Sequence, residues 1–124
     1  MKLINYNIYQ MANFLTPIAK DEKIYIPAKA NFFIQKNINE IAAAAQNIEE
    51  ARLSIAKHYG DLEESTGNYK IADDKMAAAT KELQDLFNIE QELDIKKIKI
   101  DDLGNAEFTA SQMNALMIMI DDGE

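Results

Sequence analysis

Apolar side chains recur along this chain at helical spacing, interrupted by shorter extended and turn-like stretches. Ile4, Ile8, Met11, Leu15 and Ile18 are separated alternately by four and three residues. That is one stripe of an amphipathic helix, starting after Asn5 as a cap, with Pro17 expected to end or bend it. Residues 23–26 read as a short strand, because the residue before Pro27 is pushed away from helical dihedrals. From Ala28 the helical spacing returns, and Ile34, Ile38, Ile41, Ala45, Ile48, Arg52, Ile55 and Tyr59 trace one seam up to Gly60, a natural stop. The alanines at 42–45 have the highest helix propensity available, and their small side chains let a second helix approach closely.

Residues 61–69, with Ser65, Thr66, Gly67 and Asn68, carry turn chemistry and predict an exposed hairpin or loop tip. Asp73 or Asp74 should cap a further helix, with Met76, Ala79, Leu83 and Leu86 or Phe87 on its buried face and its end near Asn88. In residues 91–101, Leu93 and Ile95 share one parity and Ile98 and Ile100 the other, which predicts a strand with a bulge at Lys96 and Lys97. Thr109 and Gln112 have capping-box spacing, and the helix that follows should run to about Ile120. Met113, Leu116, Met117, Ile118, Met119 and Ile120 cover several faces of it, so it should be buried on several faces. The pattern predicts an α+β fold: an α-rich single domain over residues 1–124, with one long central helix, shorter helices and a small two- or three-stranded sheet. The longest apolar run, residues 115–120, falls far short of the roughly 18 residues a membrane span requires, and the N-terminus has no signal-peptide pattern. A soluble intracellular protein with no membrane partner is expected.

Length adds a constraint on assembly. A helix over residues 28–59 would be about 48 Å long, whereas a compact chain of this size is about 35 Å across. An apolar helix that overhangs its own globule needs a partner subunit or a bend. Homo-oligomerisation is expected, through residues 34–59, residues 113–120, or both.

Charge and composition remove several function classes. The 124 residues carry 21 acidic and 13 basic side chains, a net charge of −8, which makes nucleic acid an unlikely partner. Residues 1–60 hold seven basic groups against five acidic, and residues 61–124 hold six against sixteen, so the two halves differ in sign. There is no cysteine, which removes disulfides, thiolate zinc sites and cysteine nucleophiles. His58 is the only histidine; Ser54, four residues before it, would lie on a regular helix without an oxyanion hole. The four glycines are scattered and form no phosphate-cradling loop. The acid-x-Lys triplet Asp94, Ile95, Lys96 occurs beside two others of the same form, a frequency chance explains. The acidic doublets at 49–50, 63–64, 73–74, 101–102 and 121–122 serve adequately as caps and loop charges. No enzymatic activity, cofactor or metal is expected.

Arg52 stands apart as the only arginine, placed on the seam of the long helix. A cation there requires an ion pair with an acid from another element or subunit, a snorkelling side chain, or an anionic ligand. Lys96, Lys97 and Lys99 would join it if their strand packs nearby, although lysines on an edge strand also guard against aggregation. His58 and Tyr59, at the end of the same helix, complete the candidate ligand-binding set.

Five segments carry a family resemblance: residues 1–9 (MKLINYNIY), 26–37 (IPAKANFFIQKN), 48–60 (IEEARLSIAKHYG), 83–94 (LQDLFNIEQELD) and 108–117 (FTASQMNALM). Together they resemble an uncharacterised family of small proteins encoded by phages and prophages of Gram-positive bacteria. The resemblance implies a viral origin and expression in the host cytoplasm, and brings no catalytic residue with it. The expected function is a non-enzymatic counter-defence protein that acts stoichiometrically, by blocking a host immune protein through the acidic half or by sequestering an anionic nucleotide immune signal beside Arg52. A virion or tail assembly chaperone is the alternative, and an acidic DNA-mimic inhibitor the third.

Overall fold

The computed structural model describes residues 1–121. Strand β1 (Lys2–Ile4) leads into α1 (Asn5–Lys20), and a linker carries the chain to α2 (Ala28–Tyr59). The hairpin β2 (Gly60–Leu62) and β3 (Tyr69–Ile71) precedes α3 (Asp73–Phe87), which is followed by β4 (Glu90–Glu92) and β5 (Ile98–Lys99). A 3₁₀ turn (Ile100–Leu103), α4 (Ala110–Leu116), a second 3₁₀ turn (Met117–Met119) and β6 (Ile120–Asp121) complete the order. The α+β class and the long central helix are as the periodicity predicts. Among the described residues the strands form three two-stranded sheets: β1 with β4 antiparallel, β2 with β3 antiparallel, and β5 with β6 parallel.

The core lies between the first two helices. Ile8, Leu15 and Ile18 of α1 meet Ile34, Ile38, Ile41, Ala44, Ala45 and Ile48 of α2, and Leu93, Ile98, Leu103, Leu116 and Met119 close it. Each fully buried Leu or Ile contributes about 2 kcal/mol of transfer free energy. The buried stripe of α2 stops at Ile48; Arg52, Ile55 and Tyr59 continue it only half-buried. So α1 of the same chain covers the part of the seam from Ile34 to Ile48, while the last turns of α2 reach past the core toward α3 and the hairpin.

Several local expectations change. Asn5 does not cap α1, because the cap position is Ile4. Asn5 is instead buried, donating from Nδ2 to the Leu86 carbonyl at 2.9 Å and accepting from Gln91 Nε2 at 2.6 Å. Pro17 lies inside α1, which continues to Lys20. Pro17 and Asn13 are both on the exposed face, so the carbonyl deprived of its helical donor faces solvent. Residues 23–26 form no strand and run as an unpaired linker into Pro27, the cap residue of α2. Ala72 caps α3, and Asp73 and Asp74 occupy its first turn, where they act on the helix dipole. Only Ala79 of α3 is fully buried, and Met76, expected on the buried face, is 45% exposed.

The bulged strand over residues 91–101 is two strands in two sheets. Parity changes at Lys96 because the chain leaves β1 at Glu92 and crosses α2 before joining β6 at Ile98. The capping box of α4 is formed as expected, but the helix ends at Leu116 and its continuation becomes a 3₁₀ turn and then a strand. Its apolar residues are not all buried: Leu116 and Met119 are fully so, and Met117 is 55% exposed. Gly60 ends α2 with φ −114°, an ordinary extended value. Glycine is required there by proximity, since a Cβ would lie 2.7 Å from the Ala56 carbonyl oxygen.

Candidate functional site

Arg52 is anchored within its own helix, and not by the acid from another element or subunit that its seam position suggests, because Glu49 lies one turn before it. Its Nε donates to Glu49 Oε2 at 2.9 Å and its Nη2 to Glu49 Oε1 at 2.5 Å, an i,i+3 bidentate pair. Tyr9 of α1 donates its hydroxyl to the same Oε2 at 2.6 Å, so the carboxylate joins the two helices. The hydrogen bonds from Arg52, then from Tyr9, hold the Glu49 carboxyl down at about 2. Glu49 in turn raises the Tyr9 phenol and pushes the guanidinium above its already high value. A carboxylate engaged by three donors is a poor base, and a guanidinium paired with a carboxylate has its charge offset toward an incoming anion, while it keeps N–H groups beyond the two that bind Glu49. Tyr9 and Glu49 line an open groove of about 560 Å³ between α1 and α2, with Ala12, Ala42 and Ala45 on its walls.

The lysines lie elsewhere. The buried amide of Asn37 accepts from the Lys96 backbone N–H at 2.8 Å and donates to the Lys96 carbonyl at 2.8 Å, fixing this segment against the middle of α2. Arg52 is fifteen residues further along the same helix, about 22 Å away. The Lys96 ammonium sits 3.4 Å from the Asp94 carboxylate, and Lys97 Nζ donates to the Ile118 carbonyl at 2.8 Å. Lys99 stands opposite Asp121 in the parallel β5–β6 pair. His58 and Tyr59 stack edge to face with ring centroids 4.6 Å apart, and the Tyr59 phenol is raised by a hydrogen bond with Glu82 of α3. Arg52, His58 and Tyr59 therefore share the far end of α2, and Lys96, Lys97 and Lys99 do not join them.

Sequence reading misses Tyr9 and Asn37, and assigns Asn5 to a helix cap instead of its buried contacts. The i,i+3 spacing of Glu49 and Arg52 is a visible signal, and so is Asn37, a polar residue three after Ile34 and four before Ile41. Tyr9 carries no such mark, because its link to Glu49 depends on how two helices pack.

The acidic doublets are dispersed, to the Tyr9 contact, the hairpin loop, the first turn of α3 and a 3₁₀ turn; Asp122 of the last doublet lies outside the described residues. Among the described residues no group of three or more His, Asp or Glu side chains converges where a metal ion would be held. A cleft of about 870 Å³ opens between the linker before α2 and the segment before α4, with Lys23, Tyr25, Asn105, Glu107 and Phe108 on its walls. Gly104 borders it at φ +60°, where a side chain would be strained and a Cβ would meet Pro27 Cγ at 3.0 Å. None of the described helices is long and apolar enough to cross a membrane. Compared with family models, with curated proteins and with solved structures, the chain matches none.

Proposed function

We propose that this chain is a non-catalytic, phage-encoded binding protein that counters a bacterial defence by occupying a host immune protein inside the infected cell. The viral setting rests on the sequence resemblance. Of the two modes open to such a protein, capture of an anionic nucleotide calls for an uncommitted cation at a pocket. One observation weighs against such a site at the candidate residues: Arg52 is paired with Glu49, while Lys96 faces Asp94 and Lys97 a backbone carbonyl, and none of them lines the cleft that holds Lys23. Protein binding is supported by the acidic half. Along α3 every residue except Ala79 keeps some exposure, and Asp73, Asp74, Glu82 and Asp85 are open to solvent. The neighbouring hairpin adds Asp61 and Glu64. A basic face on the target is the matching chemistry, and like-charged competitors are repelled.

The test expresses the chain in a Gram-positive host carrying a defence system, challenges the cells with phage, and recovers the tagged protein. Phage plating should rise, with a defence protein co-eluting in fixed stoichiometry; the charge reversals Asp73→Lys and Asp74→Lys should abolish both. Calorimetry against a cyclic dinucleotide should give no heat. Micromolar nucleotide binding would restore the sequestration mode, and co-elution with tail proteins alone would replace counter-defence by virion assembly.

A further inference from the structure

The longest uncharged stretches of the chain are residues 3–19 and 108–120. At a charged fraction of 27%, the first alone would be expected to carry about four or five charged side chains, and it has none. Burial does not account for this, because Asn7, Gln10 and Phe14 of α1 and Ser111, Asn114 and Met117 in and after α4 are exposed. Phe14 is 60% exposed. The fold sets the two stretches side by side, and between α1 and α4 they leave a groove of about 460 Å³ without a charged residue on its walls. Leu3, Met11 and Ala115 are its half-buried apolar part; exposed amides and Phe14 surround them.

We infer that this groove seats a second copy of the same chain, each copy's Phe14 entering the other's groove across a two-fold axis. Charge singles out that occupant. Two chains of net charge −8 repel, so they meet most favourably on a face where neither carries charge. Side-chain amides both donate and accept, so Asn7, Gln10 and Asn114 pair well with identical groups, whereas a charged residue facing its own copy across a two-fold is repelled. An apolar knob and an apolar hole on one surface make that surface self-complementary, and aromatic residues with few charges are the composition of interface cores. Self-association is thus moved from the α2 seam, which α1 covers as far as Ile48, to the outer side of α1 and α4. Neither α3 nor the hairpin contributes to the groove, so a dimer formed here leaves the acidic face open.

Sedimentation of the full chain at micromolar concentrations should give a particle of about 28 kDa, twice the 14.0 kDa of one chain. The dimer should tighten as salt rises from about 0.01 M to 1 M and the Debye length falls from about 30 to 3 Å, because screening removes the net repulsion. Phe14→Asp should raise the dissociation constant about tenfold or more with an unchanged circular-dichroism spectrum. Phe32→Asp, at a residue 63% exposed on α2 outside the groove, should leave it unchanged. If Phe14→Asp does not fold, Gln10→Glu on the exposed rim tests the same face by placing like charges across the axis. A 14 kDa particle at every salt concentration, a dimer indifferent to Phe14→Asp or Gln10→Glu, or affinity that weakens with salt would each overturn the assignment.

Discussion

Replacing Asn37 tests whether one buried amide fixes the path of the chain across α2. Asn37 is fully buried and exchanges two hydrogen bonds with the Lys96 backbone, both 2.8 Å, while its Nδ2 also approaches Met119 Sδ at 3.6 Å. Asn37→Leu keeps a similar volume but leaves the Lys96 N–H and carbonyl without a partner against an apolar side chain. Each lost bond is worth about 1 kcal/mol net, and stranding the two backbone groups raises the total to about 3 kcal/mol. Against a total stability of about 5–15 kcal/mol, that is a large fraction, equivalent to a fall of about 10 °C in melting temperature. Asn37→Asp separates the contributions. It retains the acceptor for the Lys96 N–H but turns a carboxylate toward the Lys96 carbonyl, and burial raises the folded-state pKa of that acid. With the folded pKa above the unfolded one, stability relative to wild type falls as pH rises through it. Part of it should return in acid, where the protonated carboxyl can donate to the carbonyl. Urea denaturation of wild type and both variants at matched pH from 4 to 8 reads these effects. A loss below about 0.5 kcal/mol for Asn37→Leu, or a pH-independent difference for Asn37→Asp, would refute the role assigned to the amide.

Three further outcomes follow from the geometry. Glu49 is held at about 2 in the folded chain, against 4.5 ordinarily, so its contribution is complete above pH 4.5 and is lost as pH falls toward 2. The pair's side chains are 38% and 35% exposed, and solvent screening brings the effect to about 1 kcal/mol; denaturation across that pH window should show it in wild type and not in Glu49→Gln. Gly60→Ala should cost about 2 kcal/mol by thermal denaturation, because its Cβ would press against the Ala56 carbonyl oxygen at 2.7 Å and the Lys70 carbonyl oxygen at 3.2 Å. Thr109→Ala should cost about 1 kcal/mol, since it removes the oxygen that accepts from the Gln112 N–H at 3.1 Å, and hydrogen exchange should quicken in α4.

The sequence by itself determined the features that arise within a few residues of chain. The alternation of four and three in α1 and α2, the turn residues of the hairpin, and the Thr109–Gln112 box are set by local backbone geometry and hydrogen bonding. All three form where the pattern places them. The pairing of Arg52 with Glu49 belongs to the same class, because three positions along a helix bring side chains together. Tertiary structure decided whatever depends on which segments become neighbours. Residues 91–101 alternate like one bulged strand, yet β4 pairs with β1 at the N-terminus and β5 pairs with β6 near the C-terminus. Strand pairing is a choice of partner, which one segment's alternation does not encode. Residues 23–26 have the pattern of a strand but pair with no other strand among the described residues, and they remain a linker. The lysines and Arg52 share a charge sign and were candidates for one pocket; Asn37 ties Lys96 to α2 fifteen residues short of Arg52, and the distance between them follows from that crossing. The uncharged stretches 3–19 and 108–120 are plain in the sequence, but they make one face only because α4 returns to lie beside α1. Local periodicity acts through the chain's own geometry, whereas a site or an interface depends on contacts between residues far apart in sequence, such as the 40 positions between Tyr9 and Glu49 and the 59 between Asn37 and Lys96.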